Sequence, residues 1–163
     1  MKRRMGLLAA GGAVGQTATC VVQTSALTMQ NANTDFTLVP GLADTVTFTA
    51  TSIVYVSADG GAYTTSVDTN GFSAIDVALA LDGNVGNQYA GPAEPLTMVN
   101  NDGVVEAGTE WSLSIALVLP AGTYTFQVAA KSQDIGGASE AQVGADNGTS
   151  ARELYRYSCC RPL

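Results

Sequence analysis

Residues 110–131 read EWSLSIALVLPAGTYTFQVAAK, and this stretch decides the fold class. In its first half Trp111, Leu113, Ile115, Leu117 and Leu119 occupy alternate positions. After Pro120-Ala121-Gly122 the same period resumes with Tyr124, Phe126 and Val128, and Lys131 ends the run. Successive side chains of a strand point to opposite faces, so a period of two marks a half-buried strand with one face in a core. Such strands are typical of antiparallel sheets with one wet face.

Working outward, the pattern recurs. In TVTFTATSIVYV, residues 45–56, Val46, Phe48 and Ala50 share one face, and Val54 and Val56 follow with the same parity. AIDVALALD, residues 74–82, places Ile75, Val77, Leu79 and Leu81 inward and Asp76 and Asp82 outward. Weaker strands are expected at 18–28, 34–38, 62–68, 96–99, 140–144 and 151–159. Turn signals separate them: Asp59-Gly60-Gly61, Asn70-Gly71, Asp82-Gly83, Asp102-Gly103, Pro120-Ala121-Gly122, Gly136-Gly137 and Asn147-Gly148. No helical period follows residue 16. The expectation is an all-β fold, an antiparallel jelly-roll β-sandwich over residues 17–163. Residues 83–109 are the least regular segment and read as a long surface excursion.

Charge is segregated along the chain. Lys2, Arg3 and Arg4 open the sequence and Arg152, Arg156 and Arg161 close it. Residues 5–151 hold thirteen Asp and Glu against the single Lys131, a net of −12 within an overall −7. An acidic body with basic ends can recognise copies of itself and repels nucleic-acid phosphates. The first residues combine this basic run with MGLLAAGGAVG, which has the outline of an export signal, as does TATC at 17–20. Four glycines among those eleven apolar residues argue for another role, and residues 1–16 are read as an extended docking arm with Lys2, Arg3 and Arg4 as its contact residues. No apolar stretch is long enough for a membrane-spanning helix.

Cys20, Cys159 and Cys160 are the three cysteines. The odd number leaves one thiol free or pairs it between chains, and Cys20 could bridge to either C-terminal cysteine. Histidine is absent, which removes the commonest side chain for proton transfer near neutrality. No nucleophile elbow, phosphate loop, dinucleotide fingerprint or zinc-protease motif occurs. Asp82, Asn84 and Asn87, or Asn100, Asn101 and Asp102, offer oxygens to calcium, but neither set completes a calcium loop and turn chemistry explains both. No cofactor and no metal are expected.

AIDVALALDGN and the EWSLSIALVLPAGTYTFQVAAK stretch together resemble the complement-subunit and tumour-necrosis-factor-like jelly-roll superfamily, nearest its bacterial and bacteriophage-borne members. Asp82-Gly83 and Leu119-Pro120-Ala121-Gly122-Thr123-Tyr124 carry the likeness, which covers about residues 45–131. The resemblance implies a compact trimer, a binding role and no catalysis, with Tyr155 and Tyr157 as candidates for the packing around its axis. The chain lacks the collagen-like stalk of the animal proteins and adds a double cysteine with a basic tail, which favours a component fixed in a larger structure.

The expectation is a non-enzymatic structural protein of a phage or phage-like particle, in the virion as capsid decoration, head spike or tail-fibre module. Its partners would be copies of itself and other structural subunits, with neither nucleic acid nor membrane. The alternatives are an exported, disulfide-linked bacterial filament subunit, and a secreted module that binds surface glycan through the 83–109 segment with Trp111 or Tyr89 as its platform.

Overall fold

The structure is a computed structural model and describes residues 4–10, 16–22, 25–30, 35–65, 71–85, 94–100, 106–136 and 140–143. All regular structure among them is β. The strands are β1 (Arg4–Ala10), β2 (Gln16–Val22), β3 (Leu27–Met29), β4 (Thr37–Phe48), β5 (Ser52–Thr65), β6 (Gly71–Leu81), β7 (Glu94–Asn100), β8 (Glu106–Leu119), β9 (Gly122–Gly136) and β10 (Glu140–Val143). They form two antiparallel sheets that enclose one apolar core, a β-sandwich.

One sheet runs β2-β1-β5-β10-β3, with β8 on the other edge of β5; the second runs β4-β9-β6-β7. From β3 onward the pairing is nested: β3 with β10, β4 with β9, β5 with β8, and β6 with β7. Two further ladders, β5 with β10 and β6 with β9, join these pairs into sheets. Apart from β6 to β7, each connection after β3 passes from one sheet to the other.

The alternation that defines the strands also fills the core. Trp111, Leu113, Leu117 and Leu119 of β8 are buried, as are Phe126 and Val128 of β9 and Ile75, Val77, Leu79 and Leu81 of β6. In TVTFTATSIVYV the equal parity has a different origin from a single strand. Phe48 ends β4 in one sheet and Val54 and Val56 belong to β5 in the other, so they face the same interior from opposite sides, while Ala50 in the turn between is exposed. Asp59-Gly60-Gly61, read as a turn, lies inside β5, whose ladder with β8 continues through Gly60↔Trp111. A Cβ on Gly60 would collide with Trp111 Cζ2, so here glycine makes room for the indole rather than for a bend.

Two glycine-bearing connections behave as their sequences indicate. Asp82 (φ 52°) and Gly83 (φ 77°) form a two-residue hairpin turn with both central residues at positive φ, closed by Asn84 N–H donating to Leu81 O at 3.0 Å. Pro120-Ala121 carries the chain from β8 to β9, and Tyr124 folds back over it. Its hydroxyl donates to Pro120 O at 3.2 Å, and its ring lies 3.2 Å from where a Cβ on Gly122 would stand. The Leu-Pro-Ala-Gly-Thr-Tyr pattern is therefore a self-contained corner. β4 accommodates Pro40-Gly41 in a bulge between Leu38 and Ala43, where a proline without N–H does not interrupt the ladder.

In place of an extended arm, Arg4–Ala10 forms β1, paired antiparallel to both β2 and β5. Its sequence, RMGLLAA, shows no polar–apolar alternation. Alternation reports strands with one wet face, and a short apolar run bounded by glycines can equally be a strand flanked by apolar surroundings on both faces. Residues 83–109, read as an excursion, contain β7 and the first rungs of β8.

Candidate assembly surface

Four adjacent strands of the larger sheet share a property that no single stretch reveals. β2, β1, the first half of β5 and most of β8 lie side by side in register, for example Cys20↔Gly6, Gly6↔Ser57 and Ser57↔Ser114. Residues 5–10, 16–22, 51–58 and 111–121 contain no Asp, Glu, Lys or Arg. In a chain with net charge −7, half of one sheet is thus uncharged.

The outer face of this region carries an apolar strip at one end, while Ser57, Ser112 and Ser114 stand on the same face further along the strands. Ile53 is 60% exposed, Val118 61% and Tyr55 42%. Ile53 pairs directly with Val118, and Tyr55 lies opposite Ala116, so they form one cross-strand strip. Burial alternates along Ser52–Ala58 and along Trp111–Leu119, with Val54 and Val56 inside and Ile53 and Tyr55 outside. Register is held from beneath by Trp111, whose Nε1–H donates to Gly61 O at 3.2 Å with the indole seated against Gly60.

The smaller sheet exposes Leu38 of β4, and elsewhere on β4 and β9 it presents polar pairs. Thr45 and Thr125 join hydroxyls at 2.9 Å, as do Thr47 and Thr123, across the β4–β9 ladder. On β6, Asp76 was expected outward in solvent, but it is only 8% exposed: Lys131 Nζ stands 3.5 Å from its Oδ2 and 4.9 Å from the Phe36 ring centroid, roofing the site. Ser132, also buried, donates to Gln30 O at 3.0 Å. Asp82 Oδ1 accepts from Thr125 N–H at 2.7 Å, so this carboxylate pins the hairpin turn to β9. Among the described residues no group of three or more acidic or cysteine side chains is placed to hold a metal ion.

Of the residues singled out in the sequence, Arg4 opens β1 opposite Val22, and Cys20 lies on β2 opposite Gly6, two rungs away. They therefore belong to one hairpin at the margin of the uncharged half-sheet. Lys2, Arg3, Tyr155, Tyr157, Cys159, Cys160 and Tyr89 lie outside the described residues. Trp111 is 2% exposed, so it presents no surface to a sugar. Sequence reading missed Ile53, Tyr55 and Val118. The signal was there, since in SIVYV and ALVL the positions between the inward residues are apolar rather than Thr or Ser, but only the β5–β8 register shows that they adjoin.

Comparisons of the sequence with protein-family models and with curated proteins find no match. Fold and surface chemistry therefore carry the functional reading.

Proposed function

We propose that this chain is a non-enzymatic structural protein of a phage or phage-like particle, a jelly roll that associates with copies of itself and docks through its N-terminal basic segment. The observation that carries the reading is the uncharged half-sheet with Ile53, Tyr55 and Val118 on its outer face. Copies of a strongly acidic chain repel one another, so the face that lets them meet must be uncharged, and an apolar strip supplies the attraction. The occupant of that face is a second copy of the chain.

The nested pairing of β3 to β10 supports the jelly-roll assignment, because a jelly roll is a long antiparallel hairpin rolled into two four-stranded layers. The phage setting and a trimeric state follow from the likeness of residues 45–131 to phage-borne jelly rolls. The location of Cys20 on β2, the outermost strand on its side of the sheet, favours a second reading, a disulfide-linked filament subunit of an exported kind. Non-reducing gels separate the two, since a ladder of multimers belongs to the filament.

Light scattering on eluting protein tests the assembly surface. Ile53→Thr with Val118→Thr keeps β-branched side chains but removes apolar area from the strip. It should weaken association on the order of tenfold or more while leaving the fold intact. A parent protein that stays monomeric at high concentration would sink the proposal.

A further inference from the structure

Among the described residues the two sheets end on five edge strands, β2, β3, β4, β7 and β8, and these are not finished alike. β3 has three residues, and β2 and β7 have seven each, with Glu94 and Pro95 opening β7. β4 is longer, but its bulge at Pro40-Gly41 shifts the ladder. Short length, proline, charge and bulges are the devices that keep a sheet edge from pairing with other chains. β8 has none of them over its second half. It is fourteen residues long, its ladder with β5 runs without a register shift from Glu106 to Leu119, and Trp111–Leu119 contains neither proline nor charge. No strand among the described residues pairs with its other side.

Ile115 marks where this edge is open. It stands in the middle of the five inward residues Trp111, Leu113, Ile115, Leu117 and Leu119, and it is half-buried while the other four are buried. A strand laid along β8 would extend the sheet through main-chain hydrogen bonds and close the core over Ile115.

We infer that the Trp111–Leu119 edge of β8 pairs antiparallel with the same edge of a second copy, about a two-fold axis at Ile115. This rests on the self-association argued above and adds a main-chain contact to that of the apolar strip. Two observations select the second copy in this orientation. The segment is self-complementary: in an antiparallel pair of identical strands, positions equally far from the centre meet. Leu113 then faces Leu117 of the second copy and Ser114 faces its Ala116, so inward residues meet inward residues along the whole segment. The segment also ends where charge begins. Glu110 lies just outside it and comes beside Pro120 of the second copy, whereas an in-register parallel pair would set Glu110 against Glu110 in a chain of net charge −7. Both copies then present Ile53, Tyr55 and Val118 on the outer face of one continuous sheet, open to further copies.

Hydrogen exchange on the full-length, unmutated protein, read amide by amide at low and high concentration, tests the edge. Alternate N–H groups of a strand in an antiparallel ladder point to opposite sides, so alternate amides of residues 111–119 face away from β5. In dilute monomer these should exchange freely. On association they should slow by about tenfold or more, while light scattering counts two copies or a multiple of two. If they are already slow in the monomer, another part of the same chain covers the edge and the inference fails. If the protein associates while they stay fast, or forms three-copy particles, the two-fold edge fails and association through the apolar strip stands. If the protein is monomeric at every concentration, both fail.

Discussion

The two outer faces of this sandwich are built on the same strand geometry and end in opposite chemistry. Over β4 and β9 paired threonines stand at exposed positions, with Leu38 as the one large apolar side chain exposed there among the described residues, and over β6 and β9 the single lysine of the body roofs an aspartate. Over the paired segments Ser52–Ala58 of β5 and Ser112–Leu119 of β8, which carry no charge, the exposed positions include Ile53, Tyr55 and Val118 beside Ser112, Ser114 and Ala116. Cross-strand Thr pairs satisfy hydroxyl groups locally and leave a surface compatible with water. An isoleucine beside a valine at about 60% exposure leaves apolar area uncovered by the described residues, the area that the proposed association would bury. One sheet is finished largely by its own side chains, and the other carries the strip for which association is proposed.

The contrast should vanish beneath the surface, which gives the prediction of largest effect. Trp111 of the larger sheet and Phe126 of the smaller are both buried in the common core, so Trp111→Ala and Phe126→Ala should each cost about 3–5 kcal/mol in denaturant unfolding. A loss below about 1 kcal/mol for either would mean that the two sheets do not share one cooperative interior.

The next effect belongs to the larger sheet alone. Gly60→Ala drives a methyl group into the Trp111 indole, and overpacking of this kind should cost about 1–3 kcal/mol. Near-ultraviolet circular dichroism should report the shifted tryptophan. Unchanged stability and spectrum would show that Gly60 has no part in seating the indole. The smallest effect on stability tests the comparison most directly. Thr45→Val with Thr125→Val gives the smaller sheet the outer chemistry of the larger. Unfolding should shift by no more than about 0.5 kcal/mol, while the variant should gain self-association measurable by light scattering. If exposed valines there leave the protein as soluble and as dispersed as before, apolar exposure on β5 and β8 is not what draws copies together.

Much of this architecture was legible from alternation. The run around Leu117 has one wet and one dry face, and the period of two in hydrophobicity is the direct trace of that asymmetry; the run around Ile75 shows the same period although Ile75–Leu81 is buried throughout, because its second face is made of alanines and Asp76. The Asp82-Gly83 hairpin and the Pro120–Tyr124 corner were legible too, because positive φ and a proline without N–H are demands on residue type that few sequences meet. Residues 4–10 were not legible as a strand, since RMGLLAA shows no alternation of polar and apolar residues to give it a period. Asp59-Gly60-Gly61 misled for the opposite reason. Glycines there serve a tryptophan some fifty residues away, and nothing local distinguishes that use from a turn. The exposed apolar strip was the least legible, because its three residues come from two strands brought into contact by the β5–β8 ladder.

The sequence by itself determined the all-β class, the antiparallel strands with their inward residues, the turn chemistry and the segregation of charge. These depend on each residue and its near neighbours, through the pleat of a strand and the φ range of a side chain. Tertiary structure alone decided that Val46–Phe48 and Val54–Val56 face one interior from opposite sheets, that β1 fills half an edge of β5, and that four uncharged segments lie side by side. Those outcomes depend on strand pairing across the whole chain, where main-chain hydrogen bonds fix the register and the side chains of one short segment cannot specify its neighbours.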